Sequence, residues 1–222
     1  EPLLKARYLV IEGVYGDTMH EEKDSRRDRL EDIVEGVIRE NGVLLIPAFS
    51  IERTQKMLFE IKIMMEKKRI PQVPVFLDSP LAIEATELYR KYLGFLKKSI
   101  RDGADDGAIF SFPELRKTLT REESEGIARA PNPKIIIAGS GMSHGGRILF
   151  HEKMYLPHES TTILLIGYQP PGGLGRALEE GAKSVSIFGE KIAVNARVEK
   201  ITGYSAHADM DALFAFVVQV AD

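Results

Sequence analysis

The sequence predicts an α/β fold of the Rossmann-like type, in which helices flank both faces of a doubly wound, mostly parallel sheet. Short β-branched runs are followed by a Gly, Ser or Asp turn and then by an amphipathic helix, and this order recurs along the chain. The apolar strands lack alternation, as a parallel sheet buried on both faces requires. With 222 residues, 44% hydrophobic and 28% charged, the chain is long enough to bury a substantial core.

The elements follow one another in a regular order. Strands are expected at 8–12, 43–49, 73–77, 134–138 and 161–166. Helices are expected at 23–40, at 51–68 and from Pro80 onward. Asn41-Gly42 supplies a C-terminal stop for the first helix, and Ser50 is placed to cap the second. Asp78-Ser79-Pro80 opens the third, because proline is tolerated in the first turn.

Between residues 93 and 133 the alternating pattern lapses. This stretch is predicted to contain a loop at 102–107, short helices at 113–119 and 121–129, and a stiff connector at 131–133. It is interpreted as an excursion from the sheet, either a lid or cap or a plain surface insertion.

The turns that follow the strands contain the candidate binding residues. In an open parallel sheet these turns share one edge, where ligands bind. Amides at helix N-termini and nearby Arg side chains suit phosphate groups, although caps and turns alone also explain such residues. Gly139-x-Gly141-x-x-x-Gly145 misses the dinucleotide-binding spacing by one residue. The candidate phosphate-binding residues are Ser50, Arg53, Ser79, Gly141, Arg147, Gly175 and Arg176.

Composition excludes several classes of protein. Without cysteine there is neither a disulfide framework nor a thiolate zinc site. A net charge of −3 means that any nucleic-acid contact depends on local Arg and Lys clusters. No apolar run approaches the roughly 18 residues of a membrane span, so a cytoplasmic location is expected.

Several motifs occur in a fixed order over nearly the whole chain. They lie at 12–17 with His20, at 47–55, at 78–82, at 139–142 with 145–147, at 167–169 with 172–176, and at 205–209. In this order they resemble the β-CASP branch of the metallo-β-lactamase superfamily. That branch includes the cleavage subunit of the polyadenylation machinery and related archaeal and bacterial ribonucleases.

The resemblance assigns roles to two residues. Glu12 falls on the acidic position of motif A, where the family typically reads Glu-Ser-Thr-Tyr-Gly; Gly13 and Val14 depart from that pattern. His207, in Ser205-Ala206-His207-Ala208-Asp209, falls on motif B. In the family the carboxylate positions the imidazole, which acts as general acid for the leaving oxygen of a phosphodiester. Glu12 and His207 are therefore the candidate catalytic residues.

The zinc-binding motifs of the superfamily are absent from this chain. It contains no His-x-His-x-Asp-His, the later motif C histidine is expected just past Asp222, and the five histidines include no two at a compact ligand spacing. No metal ligand is therefore expected here. The resemblance implies that residues 17–203 are the β-CASP domain, that 1–16 and 204–222 are flanking parts of a metallo-β-lactamase domain, and that the chain is a fragment of a longer protein.

The resemblance implies a zinc-dependent ribonuclease that uses metal-activated water. This chain would supply an RNA-binding wall with Glu12 and His207, and on its own it is expected to have little activity. The implied partners are RNA and the metallo-β-lactamase half of the same parent chain. A homodimer stays open, and no membrane partner is expected. Two alternatives also stay open: a non-catalytic module that binds nucleic acid or a protein, and a DNA-processing relative.

Overall fold

The computed structural model describes residues 7–96, 98–101 and 109–221. Its strands are β1 (Val43–Pro47), β2 (Val75–Asp78), β3 (Leu115–Lys117), β4 (Lys134–Ala138), β5 (Thr161–Leu165), β6 (Ser184–Ile187), β7 (Glu190–Ala193) and β8 (Arg197–Lys200). Its α-helices are α1 (Lys23–Arg39), α2 (Arg53–Glu66), α3 (Pro80–Lys91), α4 (Lys98–Arg101), α5 (Arg121–Gly126), α6 (Ile148–Tyr155), α7 (Leu174–Glu179) and α8 (Met210–Ala221). None of the helices within these ranges is long and apolar enough to cross a membrane.

Six of the described strands form one parallel sheet. Their order is β3-β2-β4-β1-β5-β8, and every neighbouring pair runs in the same direction. β6 and β7 form a separate antiparallel hairpin, which the sequence did not predict. β1, β4 and β5 are buried along their whole length, as expected for strands covered on both faces.

Successive residues of β1 face two different cores. Leu44 and Ile46 belong to a core that includes side chains of α1, α2 and α3. Val43 and Leu45 belong to a second core with side chains of α6 and α7. Helices therefore cover both faces of the sheet, which confirms the predicted doubly wound α/β fold.

The carboxyl ends of the parallel strands lie at one edge of the sheet. β1, β2, β4 and β5 each lead through a loop into a following helix. This edge therefore holds the turns in which the sequence places its candidate phosphate-binding residues.

The strand predicted at 8–12 is wrong. These residues lie outside the sheet, and the residues Tyr8 and Val10 are 83% and 97% exposed. A β-branched composition favours a strand only where a neighbouring strand and a packing surface are present. Just after these residues, Tyr15 forms an isolated parallel β-bridge with Asp209, which is not part of the sheet.

The helix predicted at 113–119 is also wrong, because β3 lies there and pairs with β2 through Val75 and Leu115. β3 is short, partly exposed and charged, as is common for an edge strand. The stretch between residues 93 and 133 thus contributes to the sheet and is not a peripheral excursion. The helix predicted at 121–129 is present as α5 and the 3-10 helix Ile127–Arg129, while the loop predicted at 102–107 lies outside the described residues.

The predicted cap of α2 is wrong, whereas the predicted start of α3 is confirmed. α2 begins after Glu52, whose φ of 67° is left-handed, and the helix has no side-chain cap. The Ser50 hydroxyl instead lies 3.5 Å from Ser79 Oγ. Ser79 caps α3, since its Oγ accepts a hydrogen bond from Ala82 N at 3.3 Å, and Pro80 follows at the first helical position.

Candidate active site at the strand ends

Glu12 and His207 lie side by side although nearly the whole chain separates them. His207 Nδ1 is 3.4 Å from Glu12 Oε2. The backbone N–H of Ala208 donates to Glu12 Oε1 at 3.1 Å, and that of Val14 donates to Glu12 Oε2 at 3.0 Å. Two backbone donors thus hold the carboxylate against the imidazole.

These donors keep Glu12 ionised. The hydrogen bond from Val14 N–H is the main cause that lowers the pKa of the Glu12 carboxyl below its ordinary value. The Ala208 N–H and the charge of His207 lower the pKa further, against the opposite effect of desolvation. The His207 side chain is 49% exposed. The pair therefore combines a fixed anion with an imidazole that a substrate is able to reach.

Tyr15 connects the two segments that carry this pair. It is buried, and its ring centroid lies 4.7 Å from that of His20, 6.3 Å from that of His207 and 6.0 Å from that of Tyr168. Burial raises the pKa of the Tyr15 phenol, and a hydrogen bond with Ser205 partly counteracts this rise. The phenol stays neutral, and its ring packs against the three neighbouring rings beside the Glu12 and His207 pair.

Three strand ends bring two hydroxyl groups and a glycine together. Ser50 follows β1, Ser79 follows β2, and Gly139 follows β4. A Cβ on Gly139 would lie 3.7 Å from Ser79 Oγ and 4.0 Å from Ser50 Oγ. The two hydroxyls are able to donate to the oxygens of a phosphate.

The loops after β4 and β5 are joined by one buried amide. Gln169 Nε2 donates to Gly141 O at 3.0 Å and to Gly167 O at 3.2 Å. A Cβ on Gly141 would lie 2.9 Å from the Phe49 ring, and one on Gly175 would collide with the Gln169 side chain. The structure thus gives Gly141 and Gly175 a packing role, and their contact with phosphate stays a prediction.

Two predicted arginines differ in accessibility. The side chain of Arg176 is 28% exposed, with Nη1 at 3.5 Å from Glu179 and the guanidinium 6.0 Å from the centroid of the Tyr168 ring. The side chain of Arg53 is 9% exposed, and its Nη1 lies 3.0 Å from Glu52 Oε2. Its buried Nε has no hydrogen-bond partner among the described residues. Arg176 is the arginine better placed to meet a ligand from solvent.

Arg147 is engaged inside the protein. Its Nη1 donates to Asp78 Oδ1 at 2.7 Å and to Thr118 O at 2.9 Å, and its Nη2 donates to Leu119 O at 2.7 Å. An RNA phosphate would have to compete with these acceptors. The predicted contact of Arg147 with RNA stays a prediction.

Asp78 is the centre of a buried polar network that sequence reasoning missed. His151 Nε2 lies 2.7 Å from Asp78 Oδ2, Ser124 Oγ donates to the same oxygen at 2.6 Å, and Thr118 Oγ1 donates to Oδ1 at 2.6 Å. Burial raises the pKa of Asp78, but hydrogen bonds from His151, Ser124, Thr118 and Arg147 outweigh it and hold the pKa well below its ordinary range. The partners come from the end of β3, from α5 and from α6 with its N-cap Arg147, so no local sequence pattern predicts the network.

Comparison with known proteins decides the family. The profile of the Beta-Casp domain matches residues 54–178, which is more than half of the chain. The chain belongs to the Beta-Casp domain family. This result confirms the resemblance that the ordered motifs carry.

Curated relatives of this Beta-Casp chain include named ribonucleases. It is 35% identical to ribonuclease TTHA0252 of Thermus thermophilus over 94% of this chain and 48% of that protein. It is 34% identical to the RNase J-like protein of Methanocaldococcus jannaschii over 96% of this chain and 49% of that protein. It is 30% identical to the transcription termination factor FttA of Thermococcus kodakarensis, over 96% of this chain and 34% of that protein. The chain thus spans about half or less of the length of these relatives.

The described part of this Beta-Casp chain does not fit a zinc ion. None of its groups of three or more His, Cys, Asp or Glu side chains is arranged to hold a metal. Glu12 and His207 meet each other but are joined by no third ligand of this kind.

Proposed function

We propose that this chain is the β-CASP part of a zinc-dependent ribonuclease that hydrolyses RNA phosphodiester bonds. The observation that carries the proposal is the 3.4 Å contact between His207 Nδ1 and Glu12 Oε2. The names of two relatives, a ribonuclease and an RNase J-like protein, support RNA as the substrate. Both relatives are about twice as long as the part matched here, so the activity is proposed for the complete protein.

In this proposal His207 delivers a proton to the leaving oxygen of the phosphodiester. When the imidazole is protonated, Nδ1–H faces the Glu12 carboxylate, so Nε2–H is the proton left for the substrate. Glu12 cannot turn away easily, because the N–H groups of Val14 and Ala208 hold both of its oxygens. The pKa of the Glu12 carboxyl is lowered, mainly by the Val14 N–H, so Glu12 is an anion that is able to pair with a protonated imidazole.

We place the zinc ligands outside this chain, in a metallo-β-lactamase half of the complete protein. The flanking segments 1–16 and 204–222 would belong to that half, with 17–203 as the β-CASP domain. The exposed apolar side of α8 supports this division, because Phe214 is 69% exposed and Val218 is 43% exposed. Apolar patches of this kind commonly mark surfaces that another domain covers. The cytoplasmic location expected from the sequence stays a prediction.

The proposal is tested by RNA hydrolysis with the complete protein and its His207→Ala variant. Loss of the general acid is expected to lower kcat by roughly 10²- to 10⁴-fold. His158→Ala, a change of an exposed histidine, serves as the matched control and should leave kcat unchanged. Equal rates for the wild type and His207→Ala would contradict the assigned role.

The wild type itself separates the alternatives. RNA binding without hydrolysis would favour the non-catalytic alternative, and preference for DNA of the same sequence would favour the DNA-processing one.

We also propose that Arg176 contacts the RNA backbone, since it is partly exposed beside Tyr168 at the strand-end edge. Arg176→Ala should weaken RNA binding and reduce the slope of log K against log salt by about 0.7, the value for one single-strand phosphate contact. Arg197→Ala is the matched control, because Arg197 begins β8 at the opposite edge and is also partly exposed. If both variants had the wild-type salt slope, Arg176 would not contact a phosphate.

A further inference from the structure

The segments that carry Glu12 and His207 are fastened together by a set of contacts that uses neither catalytic side chain. Met210 N donates to Thr18 O at 3.1 Å. The backbone N–H of His20 donates to Asp209 Oδ2 at 3.3 Å. Asp209 Oδ1 accepts from Ala212 N at 3.0 Å, so the same carboxylate caps α8.

His20 makes one further contact, and its partner is the catalytic residue itself. His20 Nε2 lies 2.9 Å from the backbone oxygen of His207. Because a carbonyl oxygen only accepts, the proton must be on Nε2 of His20. The other ring nitrogen, Nδ1, is buried and has no hydrogen-bond partner in the described part of the chain. The polar contact of this ring is therefore directed at the peptide unit of His207.

The ring of His20 is held in place by aromatic packing. It meets the buried ring of Tyr15 edge-on, with a centroid distance of 4.7 Å and an interplanar angle of 65°. Tyr15 also lies near the ring of His207, at a centroid distance of 6.3 Å. A displacement of His20 would thus disturb both the backbone and the ring surroundings of His207.

The backbone around His207 depends on such contacts, because its own side chain is half exposed. His207 N donates to Ser205 Oγ at 3.1 Å, and Ala208 N donates to Glu12 Oε1 at 3.1 Å. Along the backbone, the His207 carbonyl lies between these two N–H groups, and the His20 ring is its hydrogen-bond partner. With that contact removed, the peptide after His207 keeps only the hydrogen bond from Ala208 N–H to Glu12, so its carbonyl end is less constrained. A displacement of about 1 Å is enough to cost roughly 100-fold in rate.

We propose that His20 is a positioning residue which, together with Asp209, holds the backbone of His207 so that its imidazole stays against Glu12 and faces the scissile phosphodiester. This inference rests on the proposed function for its catalytic consequence. Its structural part, the control of the His207 to Glu12 contact by His20, is independent of any activity.

The test compares two substitutions of His20 in the complete protein. His20→Phe keeps a ring against Tyr15 and removes the donor, whereas His20→Gln places an amide N–H near the position of Nε2. We expect His20→Phe to lower kcat for RNA hydrolysis by about 10- to 100-fold with KM changed by less than about twofold. His20→Gln should retain kcat within about threefold of the wild type.

A double variant separates positioning from folding. In a His207→Ala background His20→Phe should cause no further loss of kcat, because there is no imidazole left to position. The idea is overturned if His20→Phe and His20→Gln lose activity equally, or if His20→Phe costs the same factor with and without His207.

Crystal structures of the two variants give a readout that needs no activity. The His207 Nδ1 to Glu12 Oε2 distance should remain near the 3.4 Å seen here in His20→Gln and exceed about 4 Å in His20→Phe. An unchanged distance in His20→Phe would refute the structural part. If the wild type did not hydrolyse RNA, the proposed function would fail, and this distance alone would decide the role of His20.

Discussion

At the scale of residues, two carboxylates with opposite surroundings have the same direction of pKa change. Glu12 is exposed, and backbone N–H groups lower the pKa of its carboxyl. Asp78 is fully buried, and hydrogen bonds from four side chains lower its pKa despite the burial. In both cases donors that favour the anion decide the charge. Glu12 is therefore available to hold His207, whereas Asp78 is occupied with holding β2, β3, α5 and α6 together.

Asp78→Asn is expected to reduce the free energy of unfolding by about 3–5 kcal/mol, because an amide N–H₂ would face donors that need an acceptor. Asp32→Asn, on the exposed face of α1, is the control and should change stability by less than about 0.5 kcal/mol. Urea unfolding at neutral pH measures both. An Asp78→Asn variant as stable as the control would contradict the structural role of the network.

The pH dependence of this effect has a defined sign. The pKa of Asp78 is lower in the folded than in the unfolded chain, so its contribution is fully present above the unfolded value, about 3.9. It decreases as the pH falls below the unfolded value and is fully lost once the pH has fallen through the folded value. The difference in stability between the wild type and Asp78→Asn should therefore be constant from pH 7 to about pH 5 and shrink below about pH 4.

The motifs in the sequence predicted that Glu12 and His207 form a pair, but no pattern predicted the environment of the arginines. Glu12 and His207 stand in short ordered motifs, and the structure brings them to 3.4 Å. Arg147 follows a strand-end turn as predicted, yet its guanidinium is bound by acceptors from other elements. Such partners are set by tertiary packing, which a local pattern does not report.

At the scale of elements, the loops after β4 and β5 behave as one unit, since the Gln169 amide bonds to Gly141 O and Gly167 O. Their glycines therefore allow close packing between the two loops.

The fully buried strands were predicted well, because continuous apolar runs are a strong signal. The errors lie at the edges: β3 is a short edge strand with charged residues, and 8–12 has strand composition without a partner strand.

Gly175→Ala tests the packing of this unit. The new Cβ would collide with Gln169 Oε1 and lie 3.3 Å from Met142 O, so we expect a loss of about 1–3 kcal/mol of stability. Gly145→Ala is the control, because a Cβ at that position meets nothing within 4 Å. Thermal unfolding of the two variants side by side provides the measurement. A melting temperature for Gly175→Ala as high as that of Gly145→Ala would show that the loops accommodate the added methyl group without a loss of stability.

At the scale of the whole molecule, the segment before α1 and the segment after β8 meet, so that residues 12–20 lie against residues 205–213. The sheet carries the loops with Ser50, Ser79 and Arg176, while the returning segments carry Glu12 and His207. The exposed apolar side of α8 continues from the same return segment. The Beta-Casp fold thus carries both the proposed binding edge and the proposed acid pair, and the proposed metal-binding half would complete the site.

The most direct test of this account is a double-variant cycle on the acid pair in the complete protein. Single-turnover RNA cleavage would be measured for the wild type, Glu12→Gln, His207→Ala and the combination of both. We expect each single variant to lose about 10²-fold or more, and the double variant to be no slower than His207→Ala, because Glu12 acts through the imidazole. Losses that multiply independently, or a wild-type rate in Glu12→Gln, would contradict the central claim that Glu12 and His207 work as one unit.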